Sequence, residues 1–177
     1  MTANAPPNPP APSPLAGLAV AAVVVTGIFG WVALAGRFLS EASLFAGFMM
    51  LWYWAKVEHL AMRRLPSAVL GGLVGVGLAW VIHYGSLTYG PGGFGFGLAL
   101  LVVAIYLDVI EIVPMLVNAS TMLYSIVAAA PLIQLKIDWL ELCFATVGGG
   151  LFFGAYVAAI MWLVAKLPQK PARPGKP

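Results

Sequence analysis

The stretch that decides the fold runs from Leu65 to Leu107 and reads LPSAVLGGLVGVGLAWVIHYGSLTYGPGGFGFGLALLVVAIYL. It contains no Lys, Arg, Asp or Glu, and a second uncharged stretch covers Leu15 to Gly36. The whole chain has 62% apolar and 8% charged residues, whereas a soluble domain carries roughly 25% charged residues. A polar surface cannot be made from this composition, so the sequence predicts a membrane protein.

The spans are predicted to be helices, because they lack the alternation of barrel strands and because a helix satisfies its own backbone hydrogen bonds in lipid. The fold class expected is an all-α integral membrane protein. Six transmembrane helices are predicted, at residues 15–36, 42–55, 65–84, 94–113, 114–134 and 140–165. The second has about 14 residues and covers only roughly 21 Å, so it either extends toward residues 56–59 or is re-entrant.

Two tails flank this predicted membrane domain of residues 15–165. Residues 1–14 hold six prolines and no charged side chain, and residues 166–177 hold four prolines and four basic residues. Both compositions are typical of disordered segments. The first apolar run follows Pro, Ala and Asn instead of a basic segment, so it is predicted to be a retained helix and not a signal peptide.

Basic residues predict the orientation, because Lys and Arg collect in short cytoplasmic loops. Lys56, Arg63 and Arg64 lie between spans two and three, and the basic tail follows span six. Six crossings then put both termini in the cytoplasm of a bacterium, with the protein in the inner membrane and the loop 85–93 outside. The net charge of +3 favours an anionic lipid bilayer as partner, and no nucleic-acid partner is expected.

An internal repeat is indicated by two self-alignments. An offset of 77 pairs small residues of spans three and six, and an offset of 71 pairs Tyr53 with Tyr124. The pairs at 77 are Ala68 with Ala145, Gly71 with Gly148, Gly72 with Gly149, and Gly77 with Gly154. Repeats of three spans, residues 15–85 and 94–165, would be inverted, as in many transporters and channels. The glycines equally fit close helix packing in lipid.

Four short motifs carry a resemblance to a known family. They are GIFGWVA at 27–33, AWVIHYGS at 79–86, Val113 and Pro114 followed by Asn118 and Ala119, and Gly154 to Tyr156. Over roughly residues 20 to 160 the chain resembles small bacterial inner-membrane proteins of unknown function, loosely related to the fusaric-acid-resistance type of aromatic-acid exporters. The resemblance implies an integral membrane protein and transport, and it supplies no catalytic residue. Asp108, Glu111 and the Pro-rich head depart from the family pattern.

Charged residues near the membrane are the first candidates for a transport pathway. Asp108 and Glu111 are three residues apart at the end of span four, which predicts one shared helix face. A carboxylate in hydrocarbon costs at least about 2.5 kcal/mol, so it normally faces the bundle interior or water. The two are either a protonatable gate or cation contact, or interfacial partners of the basic loop before span three. Arg37 either pairs with Glu41 or stands at the outer mouth of the pathway.

Polar residues of span five are the second set of candidates. Asn118, Thr121 and Ser125 recur at helical spacing on one face, with Tyr124 beside it. Such a face fits a path for a small polar or aromatic solute, and it fits interhelical hydrogen bonding equally well.

The sequence offers no support for an enzyme, a metal site or a cofactor. His59 and His83 are predicted at opposite membrane faces, which excludes a shared haem, and neither a nucleophile with its base nor a phosphate loop is visible. The single cysteine, Cys143, cannot form an intramolecular disulfide.

The predicted function is therefore a small-solute channel or transporter, with passage between spans two and five. The alternative is an accessory or scaffold membrane subunit whose glycine ridges bind partner helices. A homo-oligomer is also predicted, because one small chain has few helices to move.

Overall fold

The computed structural model describes residues 13–130, 134 and 137–166. This part of the chain is all-helical. The helices are α1 (Pro14–Ala35), α2 (Glu41–Lys56), α3 (Leu65–Val109), α4 (Ala119–Ala128) and α5 (Trp139–Lys166), with a 3-10 turn at Met62–Arg64. Three helical stretches are long and apolar enough to cross a membrane: Gly17–Ala35, Met62–Val109 and Trp139–Lys166. These helices agree with the prediction of an all-α membrane protein.

Helix α3 is folded back on itself at Gly90. This glycine has φ 59° and ψ −139°, a backbone conformation open to glycine and strained for other residues. It separates a first limb, residues 65–89, from a second limb, residues 91–109. The limbs run antiparallel, because Gly93 lies against Gly85 and Gly97 lies against Ile82. The predicted loop at 85–93 is therefore wrong, since the reversal needs only the left-handed glycine and Pro91, which suits the first turn of a helix.

Two predicted spans are shorter than expected. Span four was predicted to reach Val113, but α3 ends at Val109, and Glu111 lies beyond it with φ 52°. Span five was predicted at 114–134, but α4 begins at Ala119 and ends at Ala128, and residues 131–133 of the predicted span lie outside the described residues. The reason is local: Pro114 cannot donate a backbone hydrogen bond, and Asn118 forms a capping box that fixes the start of α4.

Three other spans agree with the structure within one residue, whereas span three, predicted at 65–84, corresponds to the longer first limb at 65–89. Predicted spans 15–36, 42–55 and 140–165 correspond to α1, α2 and α5, and the second is short, with 16 residues. Pro14 and Lys166 belong to helices and not to the tails. The remaining tail residues, 1–12 and 167–177, lie outside the described residues.

The core lies where α2, α4, α5 and the first limb of α3 meet. Its largest fully buried side chains include Trp54, Tyr124, Phe153, Met50 and Leu142. Close contacts define the neighbours: Gly47 of α2 with Gly149 of α5, Gly27 of α1 with Tyr156 of α5, Gly75 of the first limb with Thr121 of α4, and Val69 of the first limb with Gly150 of α5. Helices α2 and α5 run parallel, and α4 runs parallel to the first limb.

Candidate functional site

The interface between α2 and α4 is closed by a tyrosine. The Tyr124 hydroxyl donates a hydrogen bond to the Ala46 carbonyl over 2.5 Å, and both residues are fully buried. Gly72 of the first limb lies against the Tyr124 ring, so the ring is held between two helices. The contact fills the place at which the sequence predicted a passage.

The neighbouring hydroxyls of α4 are bonded to backbone carbonyls. Ser120 Oγ donates to Ala68 O over 2.8 Å, which ties α4 to the first limb. Thr121 Oγ1 donates to Leu116 O over 3.1 Å, and Ser125 Oγ donates to Met122 O over 3.0 Å. Every buried side-chain nitrogen and oxygen of the described residues has a hydrogen-bond partner. In this conformation, therefore, the hydroxyls of the predicted pathway face are bonded to backbone carbonyls.

The start of α4 is held to the first limb by neutral groups, which we call the asparagine clasp: Ser67, Pro114 and Asn118. Asn118 Nδ2 donates to Ser67 O, Ser67 Oγ and Pro114 O over 3.0–3.2 Å, and Ser67 Oγ donates to Pro114 O over 3.0 Å. Asn118 Oδ1 accepts from Ser120 N over 2.9 Å and so caps α4. One amide thus joins the start of α4 to the start of the first limb.

The start of α2 is held by charge, in what we call the serine clasp: Ser40, Ser43 and Glu141. Glu141 Oε2 of α5 accepts from Ser40 N over 3.0 Å, from Ser40 Oγ over 2.5 Å and from Ser43 Oγ over 3.1 Å. Asp138 Oδ1 caps α5 by accepting from Glu141 N over 3.0 Å. The Glu141 carboxylate of α5 therefore accepts the Ser40 N–H at the start of α2. The first N–H groups of a helix have no acceptor within that helix.

Sequence reasoning missed Glu141. The available signal was the pair Asp138 and Glu141, an acidic residue followed three positions later by Glu just before a long apolar run, which resembles a helix start. Nothing in that pattern points to Ser40, because the contact joins residues 101 positions apart.

The remaining predicted residues lie apart from this interface. Asp108 is partly buried in the last turn of α3, whereas Glu111 is exposed beyond its end, so the expected shared helix face is wrong. Arg37 is exposed in the turn after α1, and Glu41 begins α2. These two therefore do not share a helix. Among the described residues, the ion pair is Arg64 Nε to Glu58 Oε2 at 3.8 Å.

The predicted packing glycines lie in different surroundings. Gly71 faces the Asn118 amide, Gly148 faces Trp31, and Gly154 faces Leu65. Gly149 faces the Gly47 backbone. At Gly77, by contrast, an added methyl group would meet nothing within 4 Å.

In the part of the chain that the structure describes, no three His, Cys, Asp or Glu side chains gather into a metal-binding group. His83 Nδ1 lies 3.0 Å from Gln134 Oε1, and its ring lies 5.6 Å from that of Trp139. The chain matches no protein-family model, no curated protein and no solved structure.

Proposed function

We propose that the protein is a small-solute channel or transporter of the bacterial cytoplasmic membrane, with its route along the α2–α4 interface. The observation that carries the proposal is the meeting of two short helices at the centre of the bundle through Tyr124 and Ala46. Helices of 16 and 10 residues cover roughly 24 and 15 Å, less than the hydrocarbon core of about 30 Å. Short or broken helices at the interface of two halves are a common basis of solute sites.

The proposal includes an inverted repeat of two three-helix halves. The first half would be α1, α2 and the first limb, and the second half would be the second limb, α4 and α5. Each short helix packs along the third helix of the opposite half, since Gly47 of α2 lies against Gly149 and Asn118 of α4 lies against Gly71. The offset of 71 equates Gly47 with Asn118, and the offset of 77 equates Gly149 with Gly72, the neighbour of Gly71.

The outer pairs of helices support the same symmetry. Helix α1 runs antiparallel along α5 through Gly27 and Tyr156, as the second limb runs antiparallel along the first limb through Gly97 and Ile82. Six crossings follow if Gly90 is a membrane-face turn. Both termini and the arginines of the 3-10 turn are then cytoplasmic, in accord with the positive-inside rule.

In this orientation the asparagine clasp lies toward the cytoplasm and the serine clasp lies toward the outside. Asp108 stands near the cytoplasmic end of the route, partly buried in the last turn of α3. The Tyr124 contact closes the middle, so solute passage requires α2 and α4 to separate. A homo-oligomer would provide a surface against which such helices move.

Cysteine accessibility tests the route. In a Cys143→Ala background, Thr121→Cys and Ser125→Cys are challenged with a membrane-impermeant maleimide in intact cells and in inverted vesicles. Ile126→Cys, whose side chain is 70% exposed on the outside of α4, is the matched lipid-facing control. We expect labelling at 121 and 125, protection by a transported polar or aromatic solute, and no labelling at 126. Complete protection of 121 and 125 from both sides would refute the route.

A scaffold subunit is the second candidate. The observation that favours it is the complete hydrogen bonding of buried polar side chains in the described part of the chain, which suits a permanently packed bundle. A scaffold predicts that the purified protein carries no flux of any solute tested and that it co-purifies with a membrane partner from its own host.

A further inference from the structure

We propose that Glu141 is the proton-binding residue of the solute cycle and that its protonation opens the serine clasp between α2 and α5. The inference rests on the proposed function, because it names the ion that gates the same route. The sequence pointed to Asp108 as the protonatable group. In the structure, however, it is Glu141 whose carboxylate joins two helices, α5 and α2.

The clasp concentrates three donors on one oxygen. Ser40 N, Ser40 Oγ and Ser43 Oγ all donate to Glu141 Oε2, and Ser40 Oγ also lies 3.2 Å from Ser43 Oγ. Ser43 is fully buried in α2, whereas Glu141 is only partly buried. The carboxylate is therefore reachable by water from one side and bonded to the start of α2 on the other.

Protonation weakens all three contacts together. A proton from water converts the carboxylate to a neutral acid, and hydrogen bonds to a charged acceptor are roughly twice as strong as those to a neutral one. If the proton binds Oε2 itself, it also displaces one of the three donors, because that oxygen has no remaining room. The proton returns to water when the clasp closes again, so no other reactant is consumed.

The asparagine clasp cannot respond in this way. It holds the start of α4 through an amide, a hydroxyl and two backbone carbonyls, none of which titrates near neutral pH. The two short helices are thus fastened by different chemistry at their starts. A change of pH would loosen α2 and leave α4 fastened, which gives the two ends of the route unequal responses.

Other charged or titratable groups surround the clasp. Arg37 precedes α2, Glu41 begins α2, Asp138 caps α5, and His83 of the first limb contacts Trp139. The ion pair found among the described residues does not involve Glu141. Lys136 lies outside the described residues. His83, Asp138 and Lys136 serve below as controls for the origin of any pH dependence.

The native Cys143 reports on the clasp, because it is half-buried against the core two residues after Glu141. The experiment measures the rate of Cys143 labelling by an impermeant maleimide in lipid vesicles between pH 4.5 and 8. Each rate is divided by that of Glu141→Gln at the same pH, which cancels the titration of the thiol. At pH 8 we expect Glu141→Gln to label at least about tenfold faster than the native protein, since it lacks the charge-assisted bonds. Three donors on one oxygen stabilise the charged form of Glu141. At pH 4.5 only part of the carboxylate is therefore protonated, and the ratio of the two rates should be clearly smaller than at pH 8.

Ser43→Ala is the second variant, and it covers the case in which Glu141→Gln fails to fold. It removes one donor and keeps the carboxylate, so its labelling should be faster than native at pH 8 and should keep its dependence on pH. A ratio that stays constant with pH overturns the inference. So does a pH dependence that disappears in His83→Asn, Asp138→Asn or Lys136→Gln and persists in Glu141→Gln.

The outcome also separates this inference from the proposed route. If Thr121→Cys is labelled and protected by solute while the Cys143 labelling ratio does not change with pH, the proposed route is supported and the role of Glu141 is refuted. If the Cys143 labelling ratio changes with pH while Thr121→Cys is never labelled, the proposed route is refuted, and so is proton coupling to a solute.

Discussion

Gly149 of α5 lies directly against the backbone of Gly47 in α2, with no side chain between the two helices. A methyl group on Gly149 would overlap the Gly47 Cα. Lipid tails are as apolar as the helix surfaces, so membrane helices associate through close packing and hydrogen bonds and not through the hydrophobic effect. This approach also brings the Ser40 and Ser43 side chains within reach of Glu141.

Replacing Gly149 by Leu should therefore separate α2 from α5. We expect a loss of about 1–3 kcal/mol or more in the free energy of unfolding, the usual cost of overpacking. The measurement is the apparent melting temperature of the purified protein in detergent. Gly77→Leu is the control, because an added methyl group there meets no neighbour. Equal effects of the two substitutions would contradict the packing described.

Gly90→Ala tests the turn within α3. Neither Gly90 nor Gly92 has an atom within 4 Å of an added methyl group, but only Gly90 of the two has a positive φ. A residue held in such a conformation costs roughly 1–3 kcal/mol, so Gly90→Ala should lower the apparent melting temperature and Gly92→Ala should change it little. Matching losses for both alanines would mean that the turn is not held by the backbone of Gly90.

Tyr124→Phe removes the hydroxyl that joins α2 and α4. A hydrogen bond between membrane helices contributes roughly 0.6–1.7 kcal/mol, so the variant should be modestly less stable in detergent. If the contact closes the route, it should also raise the labelling of Thr121→Cys. Tyr106→Phe is the control, since Tyr106 is 61% exposed on the second limb. Unchanged stability and labelling would show that the hydroxyl neither stabilises nor closes the interface.

Asn118→Asp separates the two tasks of the asparagine clasp. The aspartate keeps an oxygen for the Ser120 amide, but it loses the donor to Ser67 and Pro114. We expect the helical amides of α4 to stay protected from hydrogen exchange while the first turn of α3 exchanges faster. Asn118→Ala should expose both, because loss of an N-cap alone costs roughly 0.5–2 kcal/mol. Identical exchange in the two variants would contradict the assignment of separate tasks.

The sequence was sufficient for the class of fold and for the long helices, because uncharged runs of this length have few other structures in lipid. It placed α1, α2 and α5 within one residue. The hydropathy pattern failed at Gly90, where one backbone conformation reverses the chain. It also failed at Asn118, where one capping side chain sets the start of α4. The sequence named Asn118, Thr121, Tyr124 and Ser125 as a polar face. Thr121 and Ser125 bond to nearby carbonyls of their own segment. Tyr124 and Asn118 bond to carbonyls of α2 and the first limb, which spacing could not show. Glu141 escaped for the same reason.

The contact between Ser40 and Glu141 also bears on how the chain is made. Because 101 positions separate the two residues, ribosomes adding roughly 5–20 residues per second need roughly 5–20 s to supply the missing partner. During that interval the glycine face of α2 is exposed to lipid and to the insertion machinery, with its capping donors unmet. Helix α5 thus completes the packing around α2, and a nascent chain stalled before α5 should be a substrate for membrane quality control.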